Sequence, residues 1–272
     1  MFYNHFTPET RPASPVAYSS WQTHMALGQM AYERGLYTAA IRNYRVALRT
    51  AEEIRLDLDD LITNLLGLAL CDCKLGNISE AEKCYKRVLD IEESASGSGS
   101  EVLQQNLPIH LNSLAVIYKQ IGRTSEAKAL LQKALAIINT RNGLDKTEAA
   151  IILTNLAQVS CEDDCFSEAQ QYITRALTLC GTNGSRRTKL FAEIQIIMAV
   201  IASRQSRYDE AKQFVEQAIE VMEVLTGGQH PELADLLEFA ADIIQKDGLQ
   251  VEAASLSDRA LAMRRRIQQR DR

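Results

Sequence analysis

The chain has 272 residues, 46% of them hydrophobic and 24% charged, with a formal net charge of −5. That apolar fraction excludes a disordered chain, and the mild acidity argues against a general nucleic-acid binder. No apolar run approaches the roughly 20 residues a membrane-spanning helix needs, and 13 glycines with 5 prolines favour long helices over a sheet with many tight turns.

The chain opens with MFYNHFTPETRPASPVAYSS, which lacks the basic start and apolar core of a secretory signal. Pro8, Pro12 and Pro15 disfavour helix, so residues 1–20 are expected to form a flexible tail on a cytoplasmic protein. Six segments then follow one pattern: YTAAIRNYRVAL, ISEAEKCYKRVL, TSEAKALLQKAL, FSEAQQYITRAL, YDEAKQFVEQAI and QVEAASLSDRAL. Their first alanines stand at 40, 81, 127, 169, 211 and 253, in steps of 41, 46, 42, 42 and 42, and a second small residue follows seven positions later each time. The step of 46 contains ESASGSGSEV, read as a flexible linker at about 93–102.

An upstream helix precedes each segment. A pair sits 13 and 12 residues before the first alanine: Leu27-Gly28, Leu68-Ala69, Leu114-Ala115, Leu156-Ala157, Met198-Ala199 and Ala240-Ala241. A turn residue sits five before it: Gly35, Gly76, Gly122, Asp164, Ser206 and Gly248. Glycine there ends the first helix in a left-handed cap, and the small residues let two helices approach closely. The pattern is therefore helix–turn–helix, repeated six times.

These positions resemble those of the tetratricopeptide repeat. Its usual unit is about 34 residues, and the longer unit here is similar to that of kinesin light chains, most visibly in LNSLAVIYKQIGRTSEAKALLQKALAI and GGQHPELADLL. His24 stands where the family has tryptophan in the first helix, with Trp21 one turn earlier. The resemblance implies an all-α fold, a right-handed α-solenoid superhelix of six antiparallel helix pairs over residues 21–265, with residues 266–272 the basic end of a capping helix. It also implies that first helices line a concave groove and that neighbouring repeats supply one another's core.

A search for chemistry finds no phosphate-binding glycine loop and no nucleophile elbow. His24 falls at a packing position, and His110 and His230 lie at repeat starts beside Pro108 and Pro231. Cys71 with Cys73, and Cys161 with Cys165, lack the partners of a four-ligand zinc site. A redox role at Cys161 and Cys165 would need a lowered thiol pKa. Glu80, Glu126, Glu168 and Glu210 recur at one repeat position and read as solvated helix starts. Residues 140–258 hold 10 Lys and Arg against 19 Asp and Glu, which would repel nucleic acid. The chain is thus expected to be no enzyme, with no catalytic residues, no metal and no cofactor.

The remaining candidate is the groove. Residues four and seven apart share a helix face, which selects the triplets Met25/Gln29/Tyr32, Leu66/Leu70/Cys73, Asn112/Val116/Lys119, Thr154/Gln158/Cys161, Ile196/Val200/Ser203 and Glu238/Asp242/Gln245. Lys74 and Asn155 adjoin them. The expected partner-binding residues are Gln29, Tyr32, Leu66, Leu70, Lys74, Asn112, Lys119, Asn155, Gln158, Ile196, Val200, Glu238 and Asp242. Asparagine and glutamine can pair with a peptide backbone and lysine can hold a carboxylate. Leu66, Leu70, Ile196 and Val200 offer apolar contact, and Glu238, Asp242 and Asp235 make an acidic end suited to basic residues. The expected function is a non-catalytic scaffold or adaptor binding an extended peptide or helix of another protein, with no nucleic acid and no membrane insertion. A peptide-sensing regulator whose superhelix changes pitch is the alternative, followed by an enzyme subunit with a thiol or metal role. In a variant of the first two, the N-terminal tail plugs the groove.

Overall fold

A computed structural model describes residues 15–95, 101–141, 146–181, 188–227, 230–246 and 248–270. Among the described residues there are twelve α-helices and no strand. The helices are α1 (Pro15–Glu33), α2 (Tyr37–Glu53), α3 (Leu58–Lys74), α4 (Ile78–Ala95), α5 (Glu101–Gln120) and α6 (Thr124–Thr140). They continue with α7 (Lys146–Glu162), α8 (Phe166–Gly181), α9 (Lys189–Arg204), α10 (Tyr208–Thr226), α11 (Pro231–Lys246) and α12 (Gln250–Arg270). Odd-numbered helices are the first helices of the repeats and even-numbered ones the second. The chain divides into two compact units, Met1–Ile121 and Gly122–Arg272, so the boundary falls at the turn of the third repeat.

All six corner residues take the left-handed conformation. φ is +72° at Gly35, +75° at Gly76 and Gly122, +56° at Asp164, +60° at Ser206 and +84° at Gly248. The backbone closes the corners after α1, α3, α7, α9 and α11 in the Schellman manner. In the second repeat the Asn77 amide donates to the Asp72 carbonyl (2.8 Å) and the Gly76 amide to Cys73 (3.2 Å). In the fourth the Cys165 amide donates to Ser160 (2.8 Å) and Asp164 to Cys161 (3.2 Å).

The small residues sit where helices meet. Ala40, Ala81, Ala127, Ala169 and Ala211 are fully buried, as are Ala47, Val88, Ala134, Ala176, Ala218 and Ala260. Each first helix after α1 packs on the second helix before it: α3 on α2, α5 on α4, α7 on α6, α9 on α8 and α11 on α10. Leu68 and Cys71 of α3 lie in one cluster with Ala40 and Tyr44 of α2, and Ala240 and Ile243 of α11 with Ala211 and Val215 of α10. The same four repeat positions thus recur at both interfaces. First helices also touch each other, α1 with α3 and α7 with α9.

Several boundaries differ from expectation. Helix α1 begins at Pro15, inside the expected tail, because proline is well suited to the first helical position, where no amide donor is needed. Residues 1–14, including a tail plugging the groove, lie outside the described residues. The expected linker at 93–102 overlaps the end of α4 and the start of α5, and its residues 96–100 lie outside the described residues. Because α5 starts at Glu101, Pro108 and His110 are inside a helix rather than at a repeat start.

Charged side chains stitch the second helices together at fixed repeat offsets. Lys128 of α6 pairs with Glu168 of α8, and Lys212 of α10 with Glu252 of α12 (2.7 Å). A second series joins Arg87 to Glu52 (2.6 Å), Arg175 to Asn139 (3.3 Å) and Arg259 to Glu223. Glu168 stays partly exposed but joins two repeats, and the Tyr172 hydroxyl also donates to it (3.1 Å). Glu80, Glu126 and Glu210 pair locally with Lys83, Arg123 and Arg207.

Candidate protein-interaction surface

The expected stripe on the first helices stays accessible while the positions around it are buried. On α3, Leu66 and Cys73 are half-buried and Leu70 is 44% exposed, between the buried Leu65, Leu68, Ala69 and Cys71. On α9, Ile196, Val200 and Ser203 are half-buried among Ile194, Ile197, Ala199, Ile201 and Ala202. Helical period decides this contrast: one arc of the helix faces its neighbours and the opposite arc faces outward. None of the thirteen expected partner-binding residues is buried. Thr154 departs from the pattern, being 4% exposed with its hydroxyl donating to the Ala150 carbonyl (2.7 Å).

The stripe falls into two stretches, one per unit. In the first unit Gln29 donates to Glu33 (2.8 Å) and accepts from the Tyr44 hydroxyl (3.2 Å), and Tyr32 meets Tyr37 edge-on at 5.5 Å. Lys74 is exposed at the end of α3, and Asn112 and Lys119 are half-buried on α5. The second unit carries Asn155 and Gln158 on α7, half-buried, then Ile196 and Val200 on α9, and Glu238 and Asp242 on α11. The expected middle cluster of Lys74, Asn112, Lys119, Asn155 and Gln158 is divided between the two units.

The acidic end is partly occupied from within. Arg264 of α12 reaches both Asp235 (2.8 Å) and Glu238 (2.7 Å) of α11. No sequence signal pointed to this pair, because 26 and 29 residues separate the groups and their meeting depends on how α12 lies on α11. Asp242 is exposed.

Two clefts of about 310 and 320 Å³ open between second helices of the second unit. Gln170, Met198, Glu210 and Phe214 line one, and Lys212, Ala240, Glu252 and Leu256 occupy the same repeat positions in the other. Sequence reading missed them, although counting from the repeat alanines places both at one register.

Burial pushes the Cys161 thiol up to about 11, with Glu162 adding to the shift, which is the reverse of what a redox-sensitive thiol needs. Among the described residues no group of three or more His, Cys, Asp or Glu is placed to hold a metal ion, and no helix is long and apolar enough to cross a membrane.

The tetratricopeptide repeat family model matches residues 22–94, 106–183 and 190–266. The chain belongs to the tetratricopeptide repeat family. Among solved structures, BtubC (BKLC) from P. vanneervenii is similar, with a TM-score of 0.67 at 20% identity over 94% of this chain and 93% of that one. The apo form of RapI matches with a TM-score of 0.69 at 14% identity, over 92% and 85% of the two chains. The nearly identical TPR-like repeats of a kinesin light chain candidate from Podosopora anserina match with a TM-score of 0.62 at 15% identity, over 76% and 97%. No curated protein matches. At these identities the likeness is one of fold, an α-solenoid that commonly serves as a protein-interaction scaffold.

Proposed function

We propose that this tetratricopeptide protein is a non-catalytic scaffold or adaptor of the cytoplasm that takes a peptide or helix of another protein on the outward stripe of its first helices. The supporting observation is the set of apolar side chains left accessible there, Leu66 and the 44%-exposed Leu70 on α3 and Ile196 and Val200 on α9, with groups able to pair with a peptide at accessible positions of the same stripe. In the first unit those groups are Lys74, Asn112 and Lys119, and in the second Asn155 and Gln158. Lysine suits a carboxylate and the amides suit a peptide backbone. At the sixth repeat Asp242 is the acidic contact, since Glu238 is engaged by Arg264.

Affinity capture with mass spectrometry tests this reading. A partner set retained by the wild type should be lost from Leu70→Glu or Ile196→Glu, with far-UV circular dichroism unchanged. If both variants and Lys119→Glu retain every partner, the stripe is not the binding surface.

A further inference from the structure

Helix α1 leaves open a face that later first helices cover, completely at the Met30 position and, with Met198 of α9 half-buried, for the most part at the Leu27 position. Leu27 stands 13 residues before the repeat alanine, and its counterparts Leu68, Leu114 and Leu156 are 4% exposed or less, whereas Leu27 is 44% exposed. Met30 stands ten before that alanine. Its counterparts Cys71, Ile117, Val159, Ile201 and Ile243 are 3% exposed or less, whereas Met30 is 48% exposed. Three residues apart on a helix, Leu27 and Met30 share one face. In later repeats that face meets the preceding second helix, through Ala40 and Tyr44 at one interface and Ala211 and Val215 at another. Helix α1 packs on α2 and α3.

The geometry points to a docking site on α1, built from Leu27 and Met30, for an amphipathic helix of a partner protein with a small residue followed four later by a large apolar one. The occupant's chemistry follows from continuity with the interface already formed between repeats: it must supply what Ala40 and Tyr44 supply to Leu68 and Cys71. Thr23, nearer the start of α1, satisfies its hydroxyl on the Ser19 carbonyl (2.8 Å) and presents no unpaired donor to such a helix. A second copy stacked head to tail fits poorly. Its α12 carries Ser257 at the position where the repeat interfaces use Tyr44, Leu131 and Val215.

The site is distinct from the stripe of the proposed function, and the two are tested separately. The probe is a fluorescein-labelled peptide with the sequence of residues 208–226, which carries Ala211, Val215 and Ile219 four residues apart. Fluorescence anisotropy with the full chain should show saturable binding. Leu27→Glu and Met30→Glu should each weaken it by about tenfold or more, equivalent to about 1.4 kcal/mol. Leu70→Glu and Leu261→Glu should leave it unchanged, and a peptide with Val215→Ser should not bind. Absence of saturable binding up to about 1 mM overturns the proposal. So does binding that survives both α1 variants. A wild-type dimer in sedimentation equilibrium that Leu27→Glu disperses also overturns it, by making a second copy the occupant. Both substituted residues are about half exposed, so the variants should fold, which thermal melts verify.

Discussion

The ring of Tyr44 lies directly against the backbone of Gly28, where a β-carbon would come within 2.8 Å of it. The same ring faces Gly67 of α3, where a β-carbon would come within 2.9 Å. Tyr44 therefore fills the junction of α1, α2 and α3, and the two glycines are the cavity it needs.

Gly28→Ala should destabilise the protein by about 1–2 kcal/mol, because overpacking against a buried ring outweighs the helix propensity alanine adds. Urea denaturation measures it. Combining Gly28→Ala with Tyr44→Leu should cost less than the two changes added, since they share one contact.

Asp164 and Ser206 hold left-handed corners that four other repeats assign to glycine. Asp164→Gly and Ser206→Gly should each stabilise by about 0.5–1 kcal/mol, the serine change by more because aspartate tolerates this conformation better. Gly76→Ala should do the reverse. Thermal midpoints of the three variants check the order.

His110 of α5 places Nδ1 2.8 Å from Oε1 of Glu92 of α4, and Glu92 is fully buried. His110→Ala should cost about 1–3 kcal/mol, because it takes this hydrogen bond from a buried polar group. His110→Ala with Glu92→Leu should recover much of that loss in chemical denaturation, since no buried polar group is then left without that bond.

Lys128 and Glu168 stabilise one another across the third and fourth repeats. Their hydrogen bond holds the Glu168 carboxyl below its ordinary 4.5 and the Lys128 ammonium above its ordinary 10.5. Glu168's contribution is present above pH 4.5 and is lost as pH falls through its lowered value. Lys128's is present below pH 10.5 and is lost as pH rises through its raised value. A double-mutant cycle with Lys128→Met and Glu168→Gln should give about 0.5 kcal/mol of coupling at pH 7, modest because solvent reaches both groups. The coupling should vanish at both pH extremes, as denaturation across pH would show.

Cys161, Cys71 and Cys84 all have thiols raised to about 11, chiefly by burial. At pH 7 they should be slow to alkylate, while the exposed Cys165 should be labelled first. Timed iodoacetamide labelling with peptide mass spectrometry gives the ranking, and rapid labelling of Cys161 would contradict it.

Much of the fold is legible before any coordinates. Alanines such as Ala127 and Ala211, the corners at Gly76 and Asp164, and the outward arc holding Leu70 and Ile196 all follow from one period repeated six times. Each reflects a local rule: small residues where helices cross, a left-handed residue at a tight turn, one exposed arc per amphipathic helix. The period also hid details by making every repeat look alike. Leu27 and Leu68 occupy one pattern position, yet one is 44% exposed and the other 4%.

The order of residues was thus enough to establish the helix pairs, their corners and, Thr154 apart, the accessible arc of the first helices, because those depend on near neighbours in the chain. Three-dimensional packing settled the rest: Arg264 on Asp235 and Glu238, Tyr44 between two glycines, the unit boundary at Gly122 and the open face of α1. Whether a side chain is covered, paired or exposed depends on what stands beside it in space, and that neighbour is a whole repeat away or, for Leu27 and Met30, missing among the described residues.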